Sequence, residues 1–329
     1  MKKLNIAIIG FGKVGKIRFK NLKKNKNIKK IYIFDKFEKV PETNKVDNIK
    51  KLLKLDISAV FICVPTYLAD KYTSFFIEKN INVFCEKPPS TSFKKLLSIK
   101  RKLEKSKSKL AYGFNHRYHG SINDVKNIVK KNKLGKILWI RCRYGKPLDK
   151  NYLTGWRGDK KKSGGGILID QGIHVLDLLT LFLGKITKVK SILTKNFLNK
   201  KIEDNAFIIL QNRNNQTASM HSTLTQWRHI FSFEIFFQNG YITINGLKTP
   251  SGKYGNEEIV ICKNTKKTPD IKWKILRKKT YKTDESFKIE VDEFLDSIQN
   301  DKKIKNGNID DAINVMSLLD QIYKENKII

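Results

Sequence analysis

Leu4-Asn5-Ile6-Ala7-Ile8-Ile9-Gly10-Phe11-Gly12-Lys13-Val14-Gly15 is the stretch from which the rest of the chain is read. Leu4, Ile6, Ile8 and Ile9, with Ala7, make a short apolar run of the buried-strand type, and the next six residues supply the three glycines of a G-x-G-x-x-G turn. Gly10 permits a tight turn out of the strand, Gly12 lets the backbone approach a pyrophosphate, and Gly15 lets the following helix lie close to the sheet. The phosphates then face a helix N-terminus, where unpaired N–H groups and the positive end of the dipole favour an anion. A glycine turn alone is weak, because such turns also occur without any ligand. Here a second strand, Lys30-Ile31-Tyr32-Ile33-Phe34, ends at Asp35, twenty positions after Gly15, where a carboxylate can accept from an adenosine ribose. Asp35 favours NAD over NADP, since a 2′-phosphate would face its carboxylate. Lys36 beside it softens that repulsion and leaves NADP open.

Strand and helix go on alternating outward from this unit. Val46 to Leu55 reads as a helix, and Ile57 to Val64 as a buried parallel-type strand that stops at Pro65-Thr66, the carboxyl end where open α/β sheets bind ligands. Tyr72 to Lys79 reads as a helix, Asn82 to Cys85 as a strand ending in Glu86-Lys87-Pro88-Pro89, Ser92 to Lys105 as a helix and Lys109 to Gly113 as a strand. Phe114-Asn115-His116-Arg117-Tyr118 is its polar, aromatic exit. The pattern predicts a doubly wound parallel Rossmann sheet over residues 1–118. From about residue 120 the segments lengthen and alternate. Leu138, Ile140, Cys142 and Tyr144 fall on one strand face, Arg141 and Arg143 on the other. Similar strands at 189–193, 206–211, 217–222, 231–237, 241–245 and 259–263, with Asn239-Gly240 as a hairpin signal, predict a mostly antiparallel open sheet. Helices are expected near 122–131, after Asp170, and at 286–299 and 309–324. Residues 119–329 thus read as a second, α+β domain for substrate binding and oligomerisation.

The 329 residues are 40% apolar, enough for two cores. No run of eighteen apolar residues and no signal-peptide pattern is present, and Cys63, Cys85, Cys142 and Cys262 stand singly, without C-x-x-C or metal spacing. These features predict a cytoplasmic protein with reduced cysteines, no membrane partner and no metal. The net charge of +36, from 67 Lys and Arg against 31 Asp and Glu, raises nucleic acid as a partner. The lysines are spread along the whole chain rather than gathered into a stripe with aromatics, and no nucleic-acid-binding motif accompanies them, so none is expected. The same field would steer an anionic small substrate.

A loop, Tyr152-Leu153-Thr154-Gly155-Trp156-Arg157-Gly158-Asp159, precedes a lysine run and Gly164-Gly165-Gly166, which leads into Ile167-Leu168-Ile169-Asp170-Gln171-Gly172-Ile173-His174. Asp170 and His174, four apart, share a helix face. Taken alone, they read equally well as an N-cap and a hydrogen-bonded core histidine. Five motifs in order change this: Gly10 to Gly15, Val64-Pro65-Thr66, Glu86-Lys87-Pro88, Asn115 to Tyr118, and Asp170-x-x-x-His174 after a glycine run. With them the chain resembles the Gfo/Idh/MocA oxidoreductases, named for glucose-fructose oxidoreductase and inositol dehydrogenase.

The resemblance implies that Lys87, Asp170 and His174 are catalytic, in a cleft between the two domains. It implies cofactor contacts from Gly10, Phe11, Gly12, Lys13, Val14, Gly15, Asp35, Val64, Pro65, Thr66, Glu86, Lys87 and Asn115, and a cis Lys87-Pro88 bond. Ala69 stands where the family often has a histidine. Hydride transfer from a secondary alcohol needs a proton acceptor, the role expected of His174, whose place in a first helical turn should keep it neutral. Lys87, held by Glu86, would stabilise the alkoxide-like oxygen, and Asp170 would grip a neighbouring hydroxyl. Outside the motif Lys87 would read as a solvated charge. Trp156, Arg157 and Arg117 are candidate substrate residues, an aromatic face and two guanidiniums, although each would serve equally to hold loops or the cofactor. The expected substrate is a sugar, sugar acid, nucleotide-linked sugar or inositol. The expected assembly is a homodimer or homotetramer through the sheet. The alternative is a non-catalytic nucleotide-binding regulator on the same fold.

Overall fold

The computed structural model describes residues 3–198, 201–266 and 272–327. The chain forms two compact units, one of Met1–Asn115, Lys161–Gly164 and Phe287–Ser317, the other of His116–Lys160, Gly165–Ser286 and Leu318–Ile329. The sequence suggested one crossing at residue 118. The chain instead returns to the first unit near its C-terminal end.

In the first unit β1 (Leu4–Ile9), α1 (Lys13–Lys23), β2 (Ile28–Phe34), α2 (Ile49–Leu53), β3 (Ala59–Ile62), α3 (Thr66–Glu78), β4 (Asn82–Cys85), α4 (Phe93–Leu103) and β5 (Leu110–Tyr112) alternate. The five strands are parallel, in the order β2-β1-β3-β4-β5. Beyond β2 a single parallel bridge, Ile33 to Lys45, stands where the six-stranded dinucleotide fold has its third strand. All four residues of β3 are buried, as expected of a strand covered on both faces. α3 begins at Thr66, directly after Pro65, six residues before the expected start at Tyr72.

Phe61 and Phe84 stack at 4.9 Å on this sheet, and Phe294 meets them edge-on at 5.6 and 5.4 Å. Phe294, Val291 and Leu295 come from the helix Ser286–Gln299 and join the core of this unit. Burial of each is worth roughly 1.5–3 kcal/mol, enough to fix where the helix packs.

Along the chain follow α5 (Gly120–Lys130), β6 (Ile137–Pro147), α6 (Lys150–Leu153), α7 (Lys160–Ser163), a π-helical turn Leu168–Gly172, α8 (Ile173–Leu183), β7 (Ile186–Thr194), β8 (Asn205–Asn212), β9 (Thr217–Thr223), β10 (Thr225–Phe237), β11 (Gly240–Asn245), β12 (Glu257–Asn264), β13 (Trp273–Tyr281), α9 (Ser286–Gln299) and α10 (Ile309–Glu325). The eight strands of the second unit form one sheet, β13-β12-β11-β10-β6-β9-β8-β7. β6 and β9 run parallel, and every other neighbouring pair is antiparallel. α8 is buried nearly all round and packs against the sheet. The helical stretch Lys160–Leu183 is long and apolar enough to cross a membrane by length and composition, and 72% of its most apolar window is buried in the protein's own interior.

Two local readings are corrected. Phe236 pairs with Trp139 and Phe237 with Ile137, so Leu138 is the extra residue of a bulge. It is 47% exposed, and Ile137 takes the inward place instead. The β10–β11 hairpin turns on Gln238-Asn239, with Gly240 already in β11, paired with Phe237.

Candidate active site

The glycine turn has the geometry its spacing suggested. Gly10 has φ +93°, and a Cβ there would lie 2.6 Å from the Cys63 carbonyl oxygen. At Gly15 it would collide with the Gly10 carbonyl oxygen, so the first turn of α1 sits against the end of β1. At Gly12 it would meet open space. α1 has no side-chain N-cap and no acidic residue in its first turn, which leaves its backbone N–H groups to an anion.

Asp35 is bound to this turn. Its Oδ2 accepts from Phe11 N–H at 2.5 Å, and its Oδ1 accepts from Phe37 and Glu38 N–H at 2.7 and 2.9 Å. Burial would raise its carboxyl, but these three N–H groups and Lys16 hold it below the ordinary value. A carboxylate has about four acceptor sites, so one remains for a ribose hydroxyl. Open space at Gly12, uncapped N–H groups and a tethered carboxylate with spare acceptor capacity fit a dinucleotide.

Glu86 is tied to a buried arginine. Its Oε1 accepts from Arg18 Nε at 2.6 Å, while Arg18 Nη2 donates to Glu290 Oε2 at 2.6 Å. Arg18 is fully buried, with its guanidinium over the rings of Phe84 and Phe287 at 4.4 and 4.8 Å. Burial works against its charge, yet the two carboxylates hold its pKa above the ordinary value. Glu86 therefore anchors the start of the Glu86-Lys87-Pro88 segment to α1 and, through Arg18, to α9. Lys87 is half-buried and is followed by a cis peptide bond, as the resemblance implied.

In the second unit Gly165 and Gly166, the last two of the glycine run, are packing devices. A Cβ on Gly165 would collide with the Tyr323 hydroxyl, and one on Gly166 with the Glu203 carbonyl oxygen. The buried Glu203 carboxylate accepts from Gly166 and Leu168 N–H at 2.9 and 3.0 Å and from the Tyr323 hydroxyl at 2.9 Å. It occupies the N-terminal end of the helical segment that carries Asp170 and His174. Burial raises its carboxyl above the ordinary value despite these donors.

Asp170 lies in the π-helical turn, a geometry often found at functional sites. It is not an N-cap, since neither the turn nor α8 has a side-chain cap. Tyr152, itself fully buried, donates its hydroxyl to Asp170 Oδ2 at 2.5 Å, and Arg157 Nε approaches Oδ1 at 3.4 Å. Burial and the Asp170 charge push the Tyr152 phenol well up, so it remains a donor. The Arg157 guanidinium also lies 4.4 Å over the Trp156 ring. Of the three expected substrate residues, Arg157 thus reaches Asp170 and Trp156 packs on Arg157.

Arg117, the third, is corrected. It is 2% exposed and its fork grips the buried Asp177 at 2.8 and 2.6 Å, which makes it a strut between residues 116–118 and α8. His116 makes a second tie, its ring stacked on His174 at 3.8 Å. The expected dipole effect on His174 also needs correction. Helical turns continue N-terminally from α8 to Gly166, so the positive end lies there, already facing Glu203. Among the described residues no group of three His, Cys, Asp or Glu side chains is placed to hold a metal ion.

A glycine turn at the switch point of a parallel sheet, joined in one chain to an open sheet against which the Asp-x-x-x-His segment packs, is the architecture of a dinucleotide-binding Rossmann protein with a second α+β domain. The chain belongs to the GFO/IDH/MocA family. Residues 4–114 match the oxidoreductase family with NAD-binding Rossmann fold, and residues 122–243 match the GFO/IDH/MocA C-terminal domain. A glucose-6-phosphate 3-dehydrogenase of Bacillus subtilis (strain 168) is 26% identical over 220 residues, 64% of this chain and 62% of its own. A D-glucoside 3-dehydrogenase of Escherichia coli (strain K12) is 32% identical over 151 residues, 44% of this chain and 41% of its own. The chain thus spans less than two thirds of the length of these curated relatives. Among solved structures, levoglucosan dehydrogenase in complex with NADH superposes with a TM-score of 0.83 over 99% of this chain and 97% of its own, at 18% identity. An aldose-aldose oxidoreductase from Caulobacter crescentus complexed with glycerol gives 0.83 over 99% and 98%, also at 18%. At that identity the likeness is one of fold.

Proposed function

We propose that this protein is an NAD-dependent oxidoreductase that removes hydride from a secondary alcohol of a sugar, sugar acid, nucleotide-linked sugar or inositol. The observation that carries the reading is Asp170, held by Tyr152 and Arg157 one helical turn from the buried His174. The family and the sugar dehydrogenases among its relatives support it. A nucleotide-binding regulator would have no use for a carboxylate so firmly bracketed.

NAD⁺, when bound, supplies the acceptor for the hydride leaving the carbinol carbon. The hydroxyl proton must leave the same carbon's oxygen, and His174 takes it on an imidazole nitrogen, so that a ketone, a reduced cofactor and one proton result. Lys87 donates a charge-assisted hydrogen bond to that oxygen as negative charge develops. Asp170 accepts from a neighbouring substrate hydroxyl, and Tyr152 and Arg157 fix the direction in which it does so. On the cofactor side, Asp35 is the basis for preferring NAD to NADP. Gly10 to Gly15, Val64, Pro65, Thr66 and Asn115 form the cofactor's bed.

The outer face of the eight-stranded sheet supports self-association. Ile192, Phe207 and Ile209 are 66%, 48% and 55% exposed beside a depression of about 670 Å³ that Arg141, Arg143 and Glu234 also line. A second copy offers the same apolar strip flanked by both charge signs, which is the pattern of an isologous interface. The four free cysteines fit a reducing compartment such as the cytoplasm. The test is NADH formation followed by fluorescence against inositols, hexoses, uronates and nucleotide-linked sugars. Turnover with at least one of these is expected, and its absence with every class, in protein that binds NADH, would overturn the reading.

A further inference from the structure

Between the end of α5 and the β13 edge of the eight-stranded sheet lies a depression of about 450 Å³, of the size that holds small molecules. None of the residues proposed for catalysis or cofactor contact lines it. Its apolar walls are Ile128 and Leu134 on the helical side and Ile261 and Leu276 on the sheet. Lys131, Lys133 and Arg277 also line it, against one carboxylate, Asp124. Both sides are shaped by a local irregularity. α5 ends in a Schellman-type turn, in which Asn132 has φ +48° and Lys133 N–H donates back to the Ile128 carbonyl at 3.2 Å. On the sheet, Ile261 pairs with Arg277 and Cys262 with Ile275, so Leu276 is the extra residue of a bulge. Neighbours in a regular strand face opposite ways, but here Leu276 and Arg277 line the same depression. Leu276 is 49% exposed there.

Asp124 is already engaged. Its Oδ2 accepts from the Tyr281 hydroxyl at 2.5 Å and pairs with Arg277 Nη1 at 3.2 Å, with Lys279 Nζ at 4.0 Å. Lys131 and Lys133 are exposed and have no carboxylate partner among the described residues. Lysines just past a helix C-terminus suit the dipole whatever else they do. An apolar hollow beside them, with a leucine turned into it by a bulge, has no such explanation. We propose that this hollow is a binding site for a small amphipathic anion, a carboxylate on an apolar alkyl or aryl body. The body takes the walls of Ile128, Leu134, Ile261 and Leu276, and the head takes Lys131 and Lys133, whose flexible stems follow apolar surface. A cation of the same shape would meet two unopposed lysines, and a neutral analogue would gain only the apolar contact. The net charge of +36 steers an anion toward the protein from long range.

Binding here is measured without substrate or cofactor, so it stands or falls apart from the dehydrogenase reading. The full chain, labelled in its isoleucine and leucine methyl groups, is titrated with octanoate and with naphthoate and followed by NMR. Single substitutions assign the signals of Ile128, Leu134, Ile261 and Leu276. Saturable shifts centred on these four are expected with at least one of the two acids, in the millimolar range or tighter for probes so small. Octylammonium should bind about tenfold more weakly than octanoate or not at all, the worth of two partly exposed charges. Lys131→Gln combined with Lys133→Gln should weaken the bound acid by about the same factor and leave octanol unaffected. Leu276→Asp, at a half-exposed position, should abolish binding of either acid. Shifts that do not saturate with both acids, saturable shifts only at other methyl groups, or equal affinity for octylammonium would each overturn the proposal. So would a lysine double variant with a native methyl spectrum that binds the acid as tightly as the unaltered protein, or a folded Leu276→Asp variant that does so.

Discussion

Arg18→Met removes the buried cation that bridges Glu86 and Glu290, and the structure sets the size of the result. All three side chains are buried or nearly so, at 0%, 12% and 3% exposed, and both contacts are 2.6 Å. Deleting one partner of such a buried network typically costs about 3–5 kcal/mol, because charge is left without compensation. The first unit contains about 150 residues. In a unit of that size each kcal/mol is worth roughly 2–4 °C in melting temperature, so its transition should fall by roughly 6–20 °C. The pH dependence follows from the two carboxylates that lose Arg18. Burial and a neighbouring like charge both favour the neutral form of a carboxylate. The folded variant then binds more protons than the unfolded chain, and its stability drops as pH rises. The deficit against the unaltered protein should therefore be widest at pH 7–8 and narrow toward pH 5. Calorimetry across that range measures it, and Arg18→Met combined with Glu86→Gln and Glu290→Gln should recover most of the loss. A deficit below about 1 kcal/mol at neutral pH, the level of an exposed ion pair, would refute the reasoning.

Asp35→Ala should narrow the preference for NADH over NADPH, measured by fluorescence titration, and a native protein that binds NADPH several-fold more tightly would show that Lys36 or Lys16 outweighs the carboxylate. His174→Ala should lower kcat by about a hundredfold to ten-thousandfold with cofactor affinity nearly unchanged. Wild-type kcat in the folded variant would remove His174 from the mechanism and leave Lys87 as the proton acceptor. Tyr152→Phe removes a charge-assisted hydrogen bond worth about 1.5–3 kcal/mol and should raise KM and lower kcat together, and unchanged steady-state constants would show that Arg157 alone orients Asp170.

The sheet of the first unit was legible because a parallel strand buried on both faces is a continuous apolar run, as Ala59 to Ile62 shows. β13 was not legible. It is an edge strand whose exposed lysines and arginine carry no alternation, which is how edges avoid pairing with other chains. The apolar face of α9 was visible in the sequence, but a helix pattern does not say which core it will join, and Phe294 joins one more than 200 residues earlier in the chain. Lys87, Asp170 and His174 stood out through motif spacing, whereas the groups that hold their segments did not. Arg18 and Glu290 are 272 positions apart, Gly166 and Glu203 are 37 apart, and a buried ion pair between remote residues leaves no local signature. Arg117 misled for the same reason, since its partner Asp177 lies 60 positions on.

Tyr323 closes the space over Gly165 and donates to Glu203, so residues near the end of the chain steady the start of the segment that bears Asp170 and His174. A premature stop a few codons before Tyr323 would leave both sheets standing, along with most of α10. Such a product would keep most of its secondary structure while the segment that bears Asp170 and His174 had lost its footing. Assays of tagged or trimmed versions of this protein therefore need an intact C-terminal turn as a control for any claim of inactivity.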